Sequence, residues 1–141
     1  MRLTDLPERS LTGITVECRF DELSTHVPAA WRRLSDAHPP DGAAYAELST
    51  ELGDGRYREV LGLLGPDETL DPALAPRTVT VPAGSWVTTV HDGPEHAIAE
   101  TFGEMLAWAA ACGLEPTGEK LDVGYRLDGT AGPHELGVRV R

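Results

Sequence analysis

One order of hydrophobic patterns, strand-helix-strand-strand, occurs twice in this chain, and no other feature restricts its fold as strongly. In the first copy, residues 11 to 20 (LTGITVECRF) alternate as a strand does. Leu23, Val27, Trp31 and Leu34 follow at three- and four-residue spacing, which predicts a helix with Ser24 as its cap and Pro28 within its first turn. His38-Pro39-Pro40-Asp41-Gly42 stops that helix. Residues 43 to 49 (AAYAELS) and 57 to 64 (YREVLGLL) then pair as a hairpin around Gly53-Asp54-Gly55.

A linker, GPDETLDPALAP over residues 65 to 76, carries three prolines and no periodicity, so we expect an extended connection. The pattern then repeats. Strand character around 78 to 90 leads into a helix over 95 to 112, with Ile98, Phe102, Met105, Leu106, Ala109 and Cys112 on one stripe. Pro94 suits its first position, Asp92 or Gly93 its cap, and Gly113 with Pro116 its end. Strands at about 120 to 128 (KLDVGYRLD) and 134 to 140 (HELGVRV) complete the copy. We read an internal duplication, with half-repeats 11–64 and 77–141 inside a single domain spanning 1–141. The expected class is α+β: duplicated β-α-β-β units form one curved antiparallel sheet, with two helices on one face and a ligand cleft on the other.

Composition excludes several functions. A net charge of −11, with Arg32-Arg33 as the main basic cluster, repels a phosphate backbone, so no nucleic acid is expected as a partner. A cationic or neutral small molecule is compatible with it. No apolar run approaches the ~20 residues that a membrane helix needs, and the first residues lack the apolar stretch of a signal peptide. The expected compartment is the cytoplasm. Cys18 and Cys112 are too few for a disulfide framework and are read as small buried hydrophobes. His91, His96 and His134 have no metal-site spacing, and there is no nucleophile elbow or phosphate loop. Neither metal nor cofactor is expected.

Alternation assigns the faces. In KLDVGYRLD the apolar set Leu121, Val123, Tyr125 and Leu127 should face the helices, leaving Asp122, Gly124 and Arg126 on the open face. In HELGVRV, Leu136, Val138 and Val140 go inward and expose Glu135, Gly137 and Arg139. The same parity groups Tyr45 with Glu47, and Tyr57 with Glu59, Leu61 and Leu63.

The stretch V-P-A-G-S-W-V-T-T-V-H-D-G-P, an apolar helix, L-D-V-G-Y-R-L-D-G and a final E-L-G-V-R-V strand occur in that order. Together they resemble the GyrI-like small-molecule-binding domain, a family of stand-alone gyrase-inhibitory proteins and effector domains of multidrug-responsive transcription regulators. The resemblance runs from about residue 12 to 140. It implies a ligand cleft between the two halves, with aromatic walls and a buried acid. Asp122 stands where the family pattern F-E-V-Y-L has its Glu, and Gly124 replaces the Tyr, which implies a roomier pocket. Trp86 takes the place of an aromatic after the P-A-G-S-like turn and is expected to form a wall.

The expected ligand contacts are therefore Tyr45, Glu47, Glu59, Trp86, Asp122, Gly124, Tyr125, Glu135 and Arg139, with Arg139 placed to neutralise Glu135. The expected function is binding of a lipophilic small molecule, for sequestration or sensing. The resemblance leaves two alternatives. One is hydrolysis of cyclopropane-bearing alkylating compounds, with Glu47, Asp122 or Glu135 as general base and Tyr45 or Tyr125 as hydrogen-bond donor. The other is a protein-interaction module, such as a gyrase-directed inhibitor.

Overall fold

The structure, a computed structural model, describes residues 1–37, 43–65 and 70–141. In chain order the elements are β1 (Arg2–Leu6), β2 (Arg9–Arg19), α1 (Leu23–Asp36), β3 (Tyr45–Gly53), β4 (Arg56–Leu64), β5 (Arg77–Val81), β6 (Gly84–His91), α2 (Ile98–Ala111), β7 (Pro116–Tyr125) and β8 (His134–Val140). All the strands join one antiparallel sheet in the order β1-β6-β8-β7-β3-β4-β2-β5. The expected α+β class, with a single sheet and two helices, is the class observed. Two strands differ from expectation. β1 lies in a stretch assigned no structure, and the run from 78 to 90 is two strands broken at Pro82-Ala83.

The connections dictate the shape. β1 and β2 are separated by Pro7-Glu8 alone, yet they stand six places apart in the sheet; Pro82-Ala83 likewise joins β5 to β6 across six places. In a flat sheet six spacings amount to about 29 Å. The three Cα steps of such a link reach about 11 Å at most. The sheet must therefore curl until its edges approach each other. Its concave face is the one without helices. There Leu6, Leu11, Ala46, Leu48, Val60, Val81, Trp86 and Leu121, from seven different strands, pack into one apolar cluster. Gly13 and Gly62 are paired across β2 and β4. A Cβ on Gly13 would run into the Leu61 carbonyl oxygen, and one on Gly62 into that of Thr12.

Both helices lie on the convex face, over opposite flanks. α1 packs Ala30 and Leu34 with Ile14, Tyr45, Leu61 and Leu63, and α2 packs Ile98, Met105 and Ala109 with Val87, Leu136 and Val138. α1 begins one residue before the expected Ser24 cap. A single turn at Phe20–Glu22 leads into it, and the Arg19 amide donates to the Glu22 carboxylate at 3.0 Å. Pro28 consequently falls inside the helix rather than in its first turn. α2 is entered through a turn at Glu95–Ala97 that starts from Pro94, not from Asp92 or Gly93. His91 braces that entry: its ring bridges the Thr101 hydroxyl at 2.8 Å and the Pro94 carbonyl at 2.9 Å. Cys18 is buried, but Cys112 lies one residue beyond the last turn of α2 and is exposed.

The hairpin between β3 and β4 turns at Gly53, Asp54 and Gly55, all with positive φ (88°, 55° and 73°). Within the linker, Leu70 and Leu74 are buried against the α1 cluster and a turn forms at Pro72–Leu74, so its second half is anchored rather than merely extended. Residues 66–69 of the linker, and the expected helix stop at 38–42, lie outside the described residues.

Two glycine substitutions separate curvature from chain entropy. Gly62→Ala should destabilise the protein by about 1–3 kcal/mol, because backbone occupies the space the methyl needs. Gly103→Ala, on the open side of α2 with nothing within 4 Å, should stabilise it by up to about 1 kcal/mol. Urea denaturation midpoints read both.

Candidate functional site

Strand register carries the site. One row of side chains crosses the convex face through Ile14, Leu61, Glu47, Asp122 and Leu136; the next runs through Val16, Glu59, Ser49, Lys120 and Val138. Both rows are apolar at their ends, which lie under the helices, and polar in the middle. α1 covers β2 and β4, and α2 covers β6 and β8, so the central strands β3 and β7 floor a groove between the helices. Trp31 of α1 reaches in from one side, its ring centroid 4.4 Å from that of Tyr125. Phe102 of α2 stands on the other, 5.8 Å from the Lys120 ammonium.

This reverses the expected faces of β7 as far as Val123, while Tyr125 and Leu127 pack on the α1 side as expected. Ala46 pairs with Val123 and Tyr45 with Tyr125, so Gly124 is an extra residue in β7 and parity inverts there. Leu121 and Val123 join the concave cluster, while Asp122 and Tyr125 share the convex groove with Glu47 and Glu59. For β8 the expected assignment matches: Leu136, Val138 and Val140 face α2. Nor does Gly124 enlarge a pocket. Its φ is 142°, and a Cβ there would lie 2.6 Å from the Pro133 carbonyl oxygen and 2.9 Å from the His134 Cα. The missing side chain admits β8, not a ligand.

That close approach brings His134 to Asp122, with Nδ1 and Oδ1 2.6 Å apart and both residues buried. The Tyr125 ring lies between Trp31 and His134, edge-on to the latter at 4.8 Å. Its hydroxyl donates to Glu47 Oε2 at 3.2 Å. Glu59 accepts from the Ser49 hydroxyl at 2.8 Å. Three carboxyl groups thus crowd a poorly solvated floor, and the charged form suffers. Desolvation, with the neighbouring Glu59 and Asp122 carboxylates adding to it, pushes Glu47 up to about 8. Burial pushes Glu59 up to about 7, against the pull of Ser49 and Lys120. Asp122 is raised by burial and partly restored by His134. The Tyr125 phenol is raised by burial and by both nearby carboxylates.

Of the residues expected from sequence, the structure gathers Glu47, Glu59, Asp122 and Tyr125 in this groove, with Tyr45 buried at its end against α1. Trp86 is elsewhere: fully buried in the concave core, it packs against Gly137, and its indole N–H donates to the Pro82 carbonyl at 3.3 Å. Glu135 is exposed on the concave side, and Arg139 pairs with Glu119 at 2.8 Å rather than with Glu135. Sequence reasoning left out His134, Trp31, Ser49 and Lys120 as site residues. The β7–β8 register pairs Asp122 with Leu136 and so sets His134, two residues away on the same face, beside Asp122; no spacing in the sequence signals it. Among the described residues no cluster is suited to a metal ion, and no helix is long and apolar enough to cross a membrane.

No family model matches the sequence, and no curated protein does. Solved structures do match. A Vibrio cholerae integron cassette protein superposes with a TM-score of 0.73 at 16% identity, over 99% of this chain and 95% of its own. SAV2435, solved with tetraphenylphosphonium bound, gives 0.73 at 15%, over 99% and 93%. The EcmrR C-terminal domain gives 0.65 at 15%, over 99% and 96%. At these identities the likeness is one of fold alone: the chain shares its α+β architecture with these proteins.

Raised carboxyl pKa values link stability to pH. Glu47 and Glu59 ionise in the folded chain near 8 and 7 against an ordinary 4.5, so the folded state binds the extra protons between those values. The stability they contribute is complete below about pH 4.5 and is lost as pH rises through the folded pKa values. The melting temperature should therefore fall from about pH 5 to about pH 9. Glu47→Gln and Glu59→Gln should each flatten that fall, as seen in thermal melts across the range.

Proposed function

We propose that the groove between α1 and α2 binds a lipophilic cation. Glu47 carries the reading. Asp122 has His134, and Glu59 has Ser49 with Lys120 nearby, but the partner of Glu47 is a neutral phenol. A carboxyl so placed stays protonated in the empty groove and ionises when a cation supplies the missing charge. Trp31, Tyr125 and Phe102 offer ring surface at the same place. Such surface contributes about 25 cal/mol per Å² buried, plus about 0.5–2 kcal/mol for each cation–π contact. The binding of tetraphenylphosphonium by SAV2435, a protein of the same fold, supports this choice of ligand class.

The test is a tryptophan-fluorescence titration with tetraphenylphosphonium. Saturable quenching is expected, weakened about tenfold or more by Glu47→Gln and reduced in amplitude by Trp31→Phe. Because a proton leaves as the cation enters, affinity should climb by up to about tenfold per pH unit below the Glu47 pKa of about 8. Absence of binding by the folded protein, or affinity indifferent to both pH and Glu47→Gln, would overturn the proposal.

A second reading rests on the Glu47–Tyr125 pair. A carboxylate that ionises near neutrality is suited to take a proton from water, and the adjacent phenol to donate to a leaving group. The substrate class would be a cyclopropane-bearing alkylating compound. Turnover should then be lost in Glu47→Gln and retained in Glu135→Gln, since Glu135 lies on the other face. Equal turnover in both variants would sink this reading.

A further inference from the structure

Curling of the sheet leaves one part of the concave face unfilled. Beyond Trp86 a cavity of about 380 Å³ opens between β1, β6, β8 and β7, walled by Leu6, Val90, Leu121 and Val123. Gly137, which carries no side chain, forms part of its floor. Arg2 enters from β1. Arg9 enters from the start of β2, carried there by the short Pro7-Glu8 link. The Arg9 Nε is buried and has no hydrogen-bond partner. Among the described residues neither arginine makes an ion pair, and nor does Glu135, the carboxylate at the cavity wall. A chain with 23 acidic and 12 basic residues has thus left two guanidinium groups unpaired at one apolar cavity.

We propose that this cavity is a second ligand site, for a small organic anion with an apolar body, such as a medium-chain carboxylate. The volume is within the range of small-molecule pockets, and the aliphatic walls suit an alkyl chain. The planar guanidinium of Arg9, with a buried donor lacking an acceptor, suits a carboxylate head. Two arginines against one carboxylate set the local sign opposite to that of the groove across the sheet. The ligand chemistries of the two faces are therefore opposite, and this site stands whether or not the groove binds cations.

Octanoate, held below its micellar concentration, is the probe, followed by backbone amide shifts in NMR. Saturable shifts at Thr88, Val90 and Val123 are expected. Arg9→Gln should weaken binding about tenfold or more, Glu135→Gln should tighten it severalfold, and Glu47→Gln should leave it unchanged. Octan-1-ol, of equal chain length without the charge, should bind about tenfold more weakly than octanoate. The inference is overturned if the folded protein shows no saturable shifts, if octanol binds as well as octanoate, or if Arg9→Gln binds octanoate normally. Should Arg9→Gln fail to fold, the octanol comparison and Glu135→Gln still decide.

Discussion

Two links of two residues each, Pro7-Glu8 and Pro82-Ala83, set the shape on which everything else depends. Each joins strands that the sheet order separates by six places, and so short a link is compatible only with a sheet curled toward its own edges. Once curled, the inner face becomes interior and must be apolar, which is why Trp86, Leu48, Val60 and Leu121 fill it. The facing glycines 13 and 62 let the backbones approach inside the bend. Proline suits both links, since it gives up a donor where ladder pairing ends.

Curvature in turn decides where polar chemistry is tolerated. Helices on a convex surface diverge, so two of them cover the flanks and leave the central strands uncovered. The acids of β3 and β7 lie in that gap, close enough to one another and to Tyr125 to lose much of their hydration, yet not sealed under a helix. The concave side has the opposite arrangement, an interior with one unfilled corner and unpaired arginines at its rim.

Much of this was legible in the sequence, and each failure has a physical cause. Helix α2 and strand β8 emerged nearly to their final bounds, because α2 buries a single stripe and Leu136, Val138 and Val140 have one apolar side to hide. The faces of β7 did not emerge. A sheet with a core on both sides buries apolar residues on both sides, so alternation shows which residues share a face but not which core they join. Gly124 then shifts the parity midway, and a bulge has no sequence mark beyond a glycine that any turn could use. Asp122 and His134 meet through the β7–β8 register, which the sequence does not display, so their pairing was invisible at a spacing of twelve. Strand β1 was missed because Arg2–Leu6 is short and mostly exposed; its partner β6, not its own pattern, makes it a strand.

The acids in the groove become intelligible when the proton is treated as a ligand. An ionised Glu47 in the empty groove would face Glu59 and Asp122 with only a phenol for company, and the structure avoids that by holding the proton to about pH 8. At neutral pH, removing a proton from a group of that pKa costs about 1.4 kcal/mol. Leaving an unpaired charge in apolar surroundings costs several times more. On the proposed reading, the empty groove is thus neutral at Glu47 and still easily charged when a cation arrives. A neutral molecule of the same shape would gain the aromatic contacts but not the ion pair, so on that reading the discrimination would come from the carboxyl and the affinity from the rings. Asp122 cannot serve in the same way, because His134 already occupies its hydrogen-bonding direction at 2.6 Å. What the Asp122–His134 pair does supply is a fixed edge against which Tyr125 packs, and that holds the phenol, and through it Glu47, in one orientation.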